Sequence, residues 1–166
     1  MMIKRLLIVG AASNAKDDID DFKRYGVSYD TMLIGVDSYG LGKMDAKYFA
    51  SYHPDDLVKL QTRPFIVISH RQFRDMVDII KPIDLLKEKS GSSAMLGVLV
   101  GIDEGYDKIV LCGCPMIGKN KNDYSYSNFH KGWYQNYNHI KDKVRSMSGW
   151  TKELLGMPDM EWLNGK

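Results

Sequence analysis

The chain has 166 residues, 44% of them hydrophobic and 27% charged, enough for one domain that buries its core without disulfide or metal staples. Lys and Arg number 23 against 21 Asp and Glu, a formal net charge of +2, too balanced to argue for a nucleic-acid or anionic-membrane surface. The longest apolar run falls far short of the ~20 residues that cross a bilayer. The two cysteines, Cys112 and Cys114, lack the second Cys pair or nearby His pair of a zinc site and point to a reducing, cytoplasmic setting.

In chain order, Leu6 to Val9, with Ile3 as an earlier start, is a continuous apolar run closed by Gly10, the pattern of a buried parallel strand. The same pattern explains the opening MMIKRLLIVG better than a signal peptide does. GAASNA follows as a turn. Ser13 or Asn14 can cap a helix with Asp17 and Asp18 in its first turn, Ile19 and Phe22 as its stripe and Gly26 as its stop. Residues 30–37 predict a second strand, SYGLG a loop and residues 46–52 a weaker third strand. Pro54 opens a short helix reaching Leu60. Residues 63–70 predict a strong strand, and RQFRDMVDIIKP a short helix closed before Pro82.

Ala94, Met95, Val98, Leu99 and Ile102 recur at helical spacing, while Gly97 and Gly101 would let that helix lie close on a sheet. Gly105 ends it, and residues 107–113 are the next strand. Residues 115–131 lose all period and predict a long, flexible, polar and aromatic loop. Residues 132–144 resume a helical pattern, and the tail at 148–166 carries one short helix with Trp150, Leu154 and Leu155 on one face. Strands alternating with helices predict an α/β fold: one Rossmann-like domain over 1–166, its sheet mostly parallel with helices on both faces.

Five junctions could carry chemistry. Gly10, Ala11 and Ser13 sit where a strand feeds a helix and backbone N–H groups face an anion. GAASNA is not G-x-G-x-x-G, and a plain capped loop is the alternative. Asp37 follows a strand where a Rossmann fold offers an acid to a ribose hydroxyl; the alternative is a solvated acid. His53 is a ligand contact or a local partner beside Pro54, while Asp55 and Asp56 favour a helix start. Gly91, Ser92 and Ser93 could cradle a phosphate or a sugar carboxylate, or simply cap the next helix. In the long loop, Tyr124, Tyr126, Lys119 and Lys121 could steady a leaving phosphate and His130 could take a proton, or the aromatics could be packing anchors. Cys114 has no constellation of a nucleophile around it.

Three stretches, LLIVGAASNAKDDID, AKYFASYHPDDL and GSSAMLGVLVGIDEGYDKIVLCGCPM, together resemble the bacterial sialyltransferases that include the Campylobacter enzymes. They are also similar to the archaeal 6-hydroxymethylpterin diphosphokinase group of the same Rossmann-like superfamily, and short phage-encoded relatives fit the pattern equally. The resemblance implies a nucleotide-sugar-binding transferase moving a glycosyl or sialyl group. Donor phosphates would rest near Gly10 to Ser13 and Ser92 to Ser93, with Asp37 on ribose or base. Tyr124 and Tyr126 would steady the leaving group and His130 would be the base. The family's first turn reads Gly-Asn-Gly-Pro-Ser where this chain has Gly10, Ala11, Ala12, Ser13 and Asn14. Its Asp and aromatics after the last Gly turn are here Cys114, Pro115 and Met116. One alternative is a non-catalytic nucleotide-binding or oligomerising module, viral in origin. Another is a diphosphotransferase with Mg²⁺ on Asp37 and Asp55; no cofactor is expected otherwise. The expected partner is a nucleotide or nucleotide sugar, with no nucleic acid and no membrane, and the aromatic-rich loop and tail suggest a homo-oligomer.

Overall fold

The computed structural model describes residues 2–41, 45–81, 90–120 and 122–166. Its seven strands are β1 (Arg5–Val9), β2 (Asp30–Ile34), β3 (Tyr48–Ala50), β4 (Ile66–Ser69), β5 (Ile79–Ile80), β6 (Lys108–Cys112) and β7 (Val144–Ser146). All pair in parallel, in the order β5-β4-β3-β2-β1-β6-β7. The sequence RLLIV offers β1 no water-facing side, and β1 duly lies mid-sheet, with Leu7 opposite Thr31 on β2 and Val110 on β6. The expected α/β, Rossmann-like, parallel sheet is present.

Alternation along β1 divides the core. Leu6 and Ile8 face a layer built with Met95, Val98 and Trp133, whereas Leu7 and Val9 face Ile19, Phe22 and Leu163. The first layer belongs to helices α2 (Ser92–Asp103) and α3 (His130–Ile140); the second belongs to α1 (Ala15–Lys23) and the terminal α5 (Met160–Leu163), which follows α4 (Gly149–Leu155). Gly97 and Gly101 do seat α2 against the sheet: a Cβ on Gly101 would meet Leu6 Cδ2 at 2.8 Å and Ile109 Cδ1 at 2.9 Å. The tail is held across the sheet's amino ends. Arg5 Nε donates to the Leu163 carbonyl at 2.9 Å, and the Trp162 ring lies between Lys108 and Arg145. Among the described residues, no helix is long and apolar enough to cross a membrane.

Several local expectations change. Phe73, Met76, Val77 and Ile80 have helical spacing, yet residues 71–78 form turns and Ile79–Ile80 pairs with β4. The Gln72 side chain explains this. Its Oε1 accepts the amides of Phe73 and Val77 and its Nε2 donates to the Val77 carbonyl, satisfying the backbone outside a helix. Pro82, the expected stop, lies outside the described residues. The helix expected to reach residue 144 ends at Ile140, and Val144–Ser146 becomes edge strand β7. The tail holds two helices, broken at Gly156 with φ of 87°. Val36–Leu41 is a 3-10 helix where a loop was expected. The loop at 115–131 contains a Lys119–Ser125 bridge, a 3-10 turn at Tyr126–Phe129 and the start of α3.

Candidate functional site

The chain winds outward from β1 to β5, then crosses the sheet through α2 to begin β6 on the other side of β1. Connections therefore leave the carboxyl ends of β1 and β6 in opposite directions and open a crevice between them. Two glycines form its floor. Gly10 N donates to the Cys112 carbonyl at 2.9 Å, and a Cβ on Gly10 would stand 2.3 Å from the Gly113 carbonyl oxygen. Gly113 has φ of 66°, and a Cβ there would meet Ala15 Cβ at 2.4 Å. No side chain fits on either residue, so main chain itself is the surface at this point.

A buried carboxylate locks the floor. Asp18 Oδ2 accepts the Gly113 amide at 2.8 Å and the Ser148 hydroxyl at 2.6 Å. Asn14 Nδ2 donates to Ser148 Oγ at 2.6 Å and approaches Asp18 Oδ2 at 3.5 Å. One side chain thus joins the β1–α1, β6–α3 and β7–α4 connections. Asn14 occupies the cap position of α1, but its side chain makes no capping bond; it belongs to this network. Sequence reasoning counted Asp18 only as a helix-start charge. The readable signal was its place on the buried stripe of Ala15, Ile19 and Phe22, where a charged residue needs partners.

Above this floor lies a cleft of about 970 Å³. Gly10, Ala11 and Ser13 line one wall, and no hydrogen bond among the described residues takes up the amides of Ala11 and Ser13. Asp37 and His53 line the cleft beyond the ends of β2 and β3. The His53 amide is anchored on Ser51 Oγ at 3.0 Å, and its carbonyl accepts from Asp56 N at 3.1 Å. Ser92 and Ser93 line the cleft as well, each with a local partner. Ser92, at φ 69°, accepts the Ala94 amide at 3.3 Å, and Ser93 accepts the Tyr52 amide at 3.2 Å. Gly91 stays behind them: its carbonyl takes the Trp133 indole N–H at 3.0 Å, and it is no part of the lining.

The loop residues divide. Tyr126 lines the cleft, and burial raises its phenol pKa, so it remains a donor at neutral pH. Tyr124 lies outside the lining, with its ring 5.3 Å from that of Phe129. His130 is also outside it. Its ring stacks on Trp150 at 3.5 Å with an interplanar angle of 4°, and Nε2–H donates to the Met116 carbonyl at 2.7 Å. Those contacts pack the start of α3 against α4. Lys119 lines the cleft and pairs with Asp123 at 3.0 Å; Lys121 lies outside the described residues.

Of the two carboxylates that the diphosphotransferase alternative would place on Mg²⁺, Asp37 lines the cleft and Asp55 does not. Asp55 is held by Arg71 at 3.2 Å, off the cleft, and among the described residues no cluster of three or more His, Cys, Asp or Glu is placed to hold a metal. Cys114 reaches the cleft floor, but burial pushes its thiol up to about 12, far from a nucleophile's range, and raises Cys112 too. The Tyr52 phenol, whose buried oxygen has no hydrogen-bond partner among the described residues, is likewise pushed up to about 12. These groups give up protons more readily in the unfolded chain, from ordinary values of 9.0 for the thiols and 10.0 for the phenol. Their contribution to stability is therefore whole below pH ~9 and is lost as pH rises through the folded values. Urea midpoints measured in steps from neutral to alkaline pH should fall over that window. Both thiols should ignore a disulfide reagent until urea unfolds the chain.

No family model, no curated protein and no solved structure matches this chain.

Proposed function

We propose that the protein binds a nucleotide sugar in the cleft between β1 and β6 and transfers its glycosyl group to an acceptor. The observation that carries this reading is the glycine floor beside the amides of Ala11 and Ser13, which no described residue engages, a surface of main-chain donors suited to phosphate. In this reading the donor's phosphates lie against residues 10–13, with Ser92 and Ser93 across the cleft and Asp37 placed for a ribose hydroxyl. Tyr126 keeps its proton and donates to the departing phosphate. His53, alone among the four histidines, lines the cleft, and it takes over from His130 the role of accepting the acceptor's proton. Catalysis then consists of positioning and charge stabilisation, without a covalent protein intermediate.

A second reading, a nucleotide-binding module without turnover, is favoured by one observation: His130 and Tyr124 are spent on packing contacts. Thermal unfolding with CMP, UDP, ADP and their sugar conjugates, with and without Mg²⁺, separates the two. A ligand at 100 times its Kd adds about 2.7 kcal/mol, worth roughly 5–10 °C in a chain of this size. A shift with slow release of free nucleotide from the sugar conjugate supports the transferase. A shift without release supports the module, and no shift with any ligand rejects both.

A further inference from the structure

The two ends of the cleft differ in chemistry. One end is glycine and main-chain amide. The other sets an apolar and aromatic face, Ile117, 55% exposed, with Tyr126 and Phe129, whose ring centroids lie 6.2 Å apart, beside the polar side chains of Lys119, Asn120 and Asn122. A flat heterocycle gains dispersion and stacking against Ile117 and Phe129, which the glycine end does not offer.

This end is built rather than loose. Tyr126 N donates to the Gly118 carbonyl at 2.9 Å, Asn120 N to the Tyr124 carbonyl at 2.9 Å and Asp123 N to the Asn120 carbonyl at 3.0 Å, tying residues 118–120 to residues 122–126 around the Lys119–Ser125 bridge. Tyr124 supports Phe129 from the side at 5.3 Å. Among these paired residues, Asn120 Oδ1 accepts the amides of Asn122 at 2.9 Å and Tyr124 at 3.0 Å. Its oxygen is committed to the turn, and no described residue takes up its Nδ2. Asn120 lines the cleft, so what it can offer a ligand is a hydrogen-bond donor and not an acceptor.

We infer that the paired residues 118–120 and 122–126 together with Phe129 are the ring-binding end of the cleft, where Phe129 stacks on the ligand's heterocycle and the Asn120 amide donates to an acceptor on its edge. This rests on the proposed nucleotide-sugar reading and adds which wall recognises the base. It makes Asn120 and Phe129 the specificity-determining residues, neither of which the sequence pattern singled out.

The test is calorimetric titration of the full chain with CMP, UMP, AMP and ribose 5-phosphate. Phe129→Leu keeps apolar bulk but removes the π face. Asn120→Asp keeps the turn, since a carboxylate oxygen still accepts both amides, but replaces the donor with an acceptor. Stacking and one directed hydrogen bond predict that nucleotides bind at least ~10-fold more tightly than ribose 5-phosphate. Either variant should cut that ratio by about 10-fold, with ribose 5-phosphate itself little changed in Phe129→Leu. Equal binding of ribose 5-phosphate and nucleotides, or an unchanged ratio in either variant, overturns the inference while leaving the cleft as a phosphate site. If none of the four probes binds, the nucleotide reading of the cleft falls together with it.

Discussion

Gly113→Ala should lower the free energy of unfolding by about 3 kcal/mol or more, the upper range for overpacking with a left-handed backbone added. The new methyl would sit 2.4 Å from Ala15 Cβ and 2.9 Å from Ala15 Cα, and φ at this residue is 66°. Relief requires moving α1 away from the end of β6, which opens the crevice floor. Gly10→Ala should act alike, because its Cβ would stand 2.3 Å from the Gly113 carbonyl and 2.8 Å from Cys114 Sγ. Gly26→Ala is the control. It has φ of 65° but no atom within 4 Å of its Cβ, so it carries only the conformational cost, roughly 1–2 kcal/mol. Urea unfolding of the three variants checks the order; equal losses would show that close approach at the floor contributes nothing.

Asp18→Ala should cost about 3 kcal/mol, since it strands the buried Gly113 amide and the Ser148 hydroxyl at once. Asp18→Asn should cost markedly less, because an amide oxygen in the place of Oδ2 still accepts from Gly113. The carboxylate joins three connections around the cleft, so Asp18→Ala should also weaken any ligand held on residues 10–13. Unfolding curves and a binding isotherm measured on both variants test this. Equal losses for Ala and Asn would mean that the acceptor is not what holds the floor.

The parallel sheet was legible because its central strands are apolar runs closed by glycine, as in RLLIVG and KIVLCG, and because α2 is a long apolar helix with glycines at close-packing intervals. Short edge elements were not. Ile79–Ile80 and Val144–Ser146 are two and three residues long, too short for any period to show, and the spacing of Phe73, Met76, Val77 and Ile80 imitates a helix that the Gln72 side chain pre-empts. Cleft residues at or shortly after strand ends, Gly10 immediately past β1 and Asp37 and His53 three positions past β2 and β3, could be picked out from position alone. Asp18, Asn120 and Phe129 were not, since their roles depend on contacts made after folding: a glycine amide 95 residues away, a turn among paired residues and a tyrosine beside it. His130 shows the converse. A histidine in a polar loop suggests proton transfer, but here its ring is stacked on Trp150, twenty residues on.

The central claim is that the main chain between β1 and β6 receives the ligand. Amide chemical shifts of the ¹⁵N-labelled protein, titrated with whichever of CMP, UDP or ADP raises the melting temperature most, report on it directly. The account predicts the largest changes at Ala11, Ser13 and Gly113, with a second group at Asn120 and Phe129. Changes confined to other surfaces, with those amides unmoved at saturation, would contradict it.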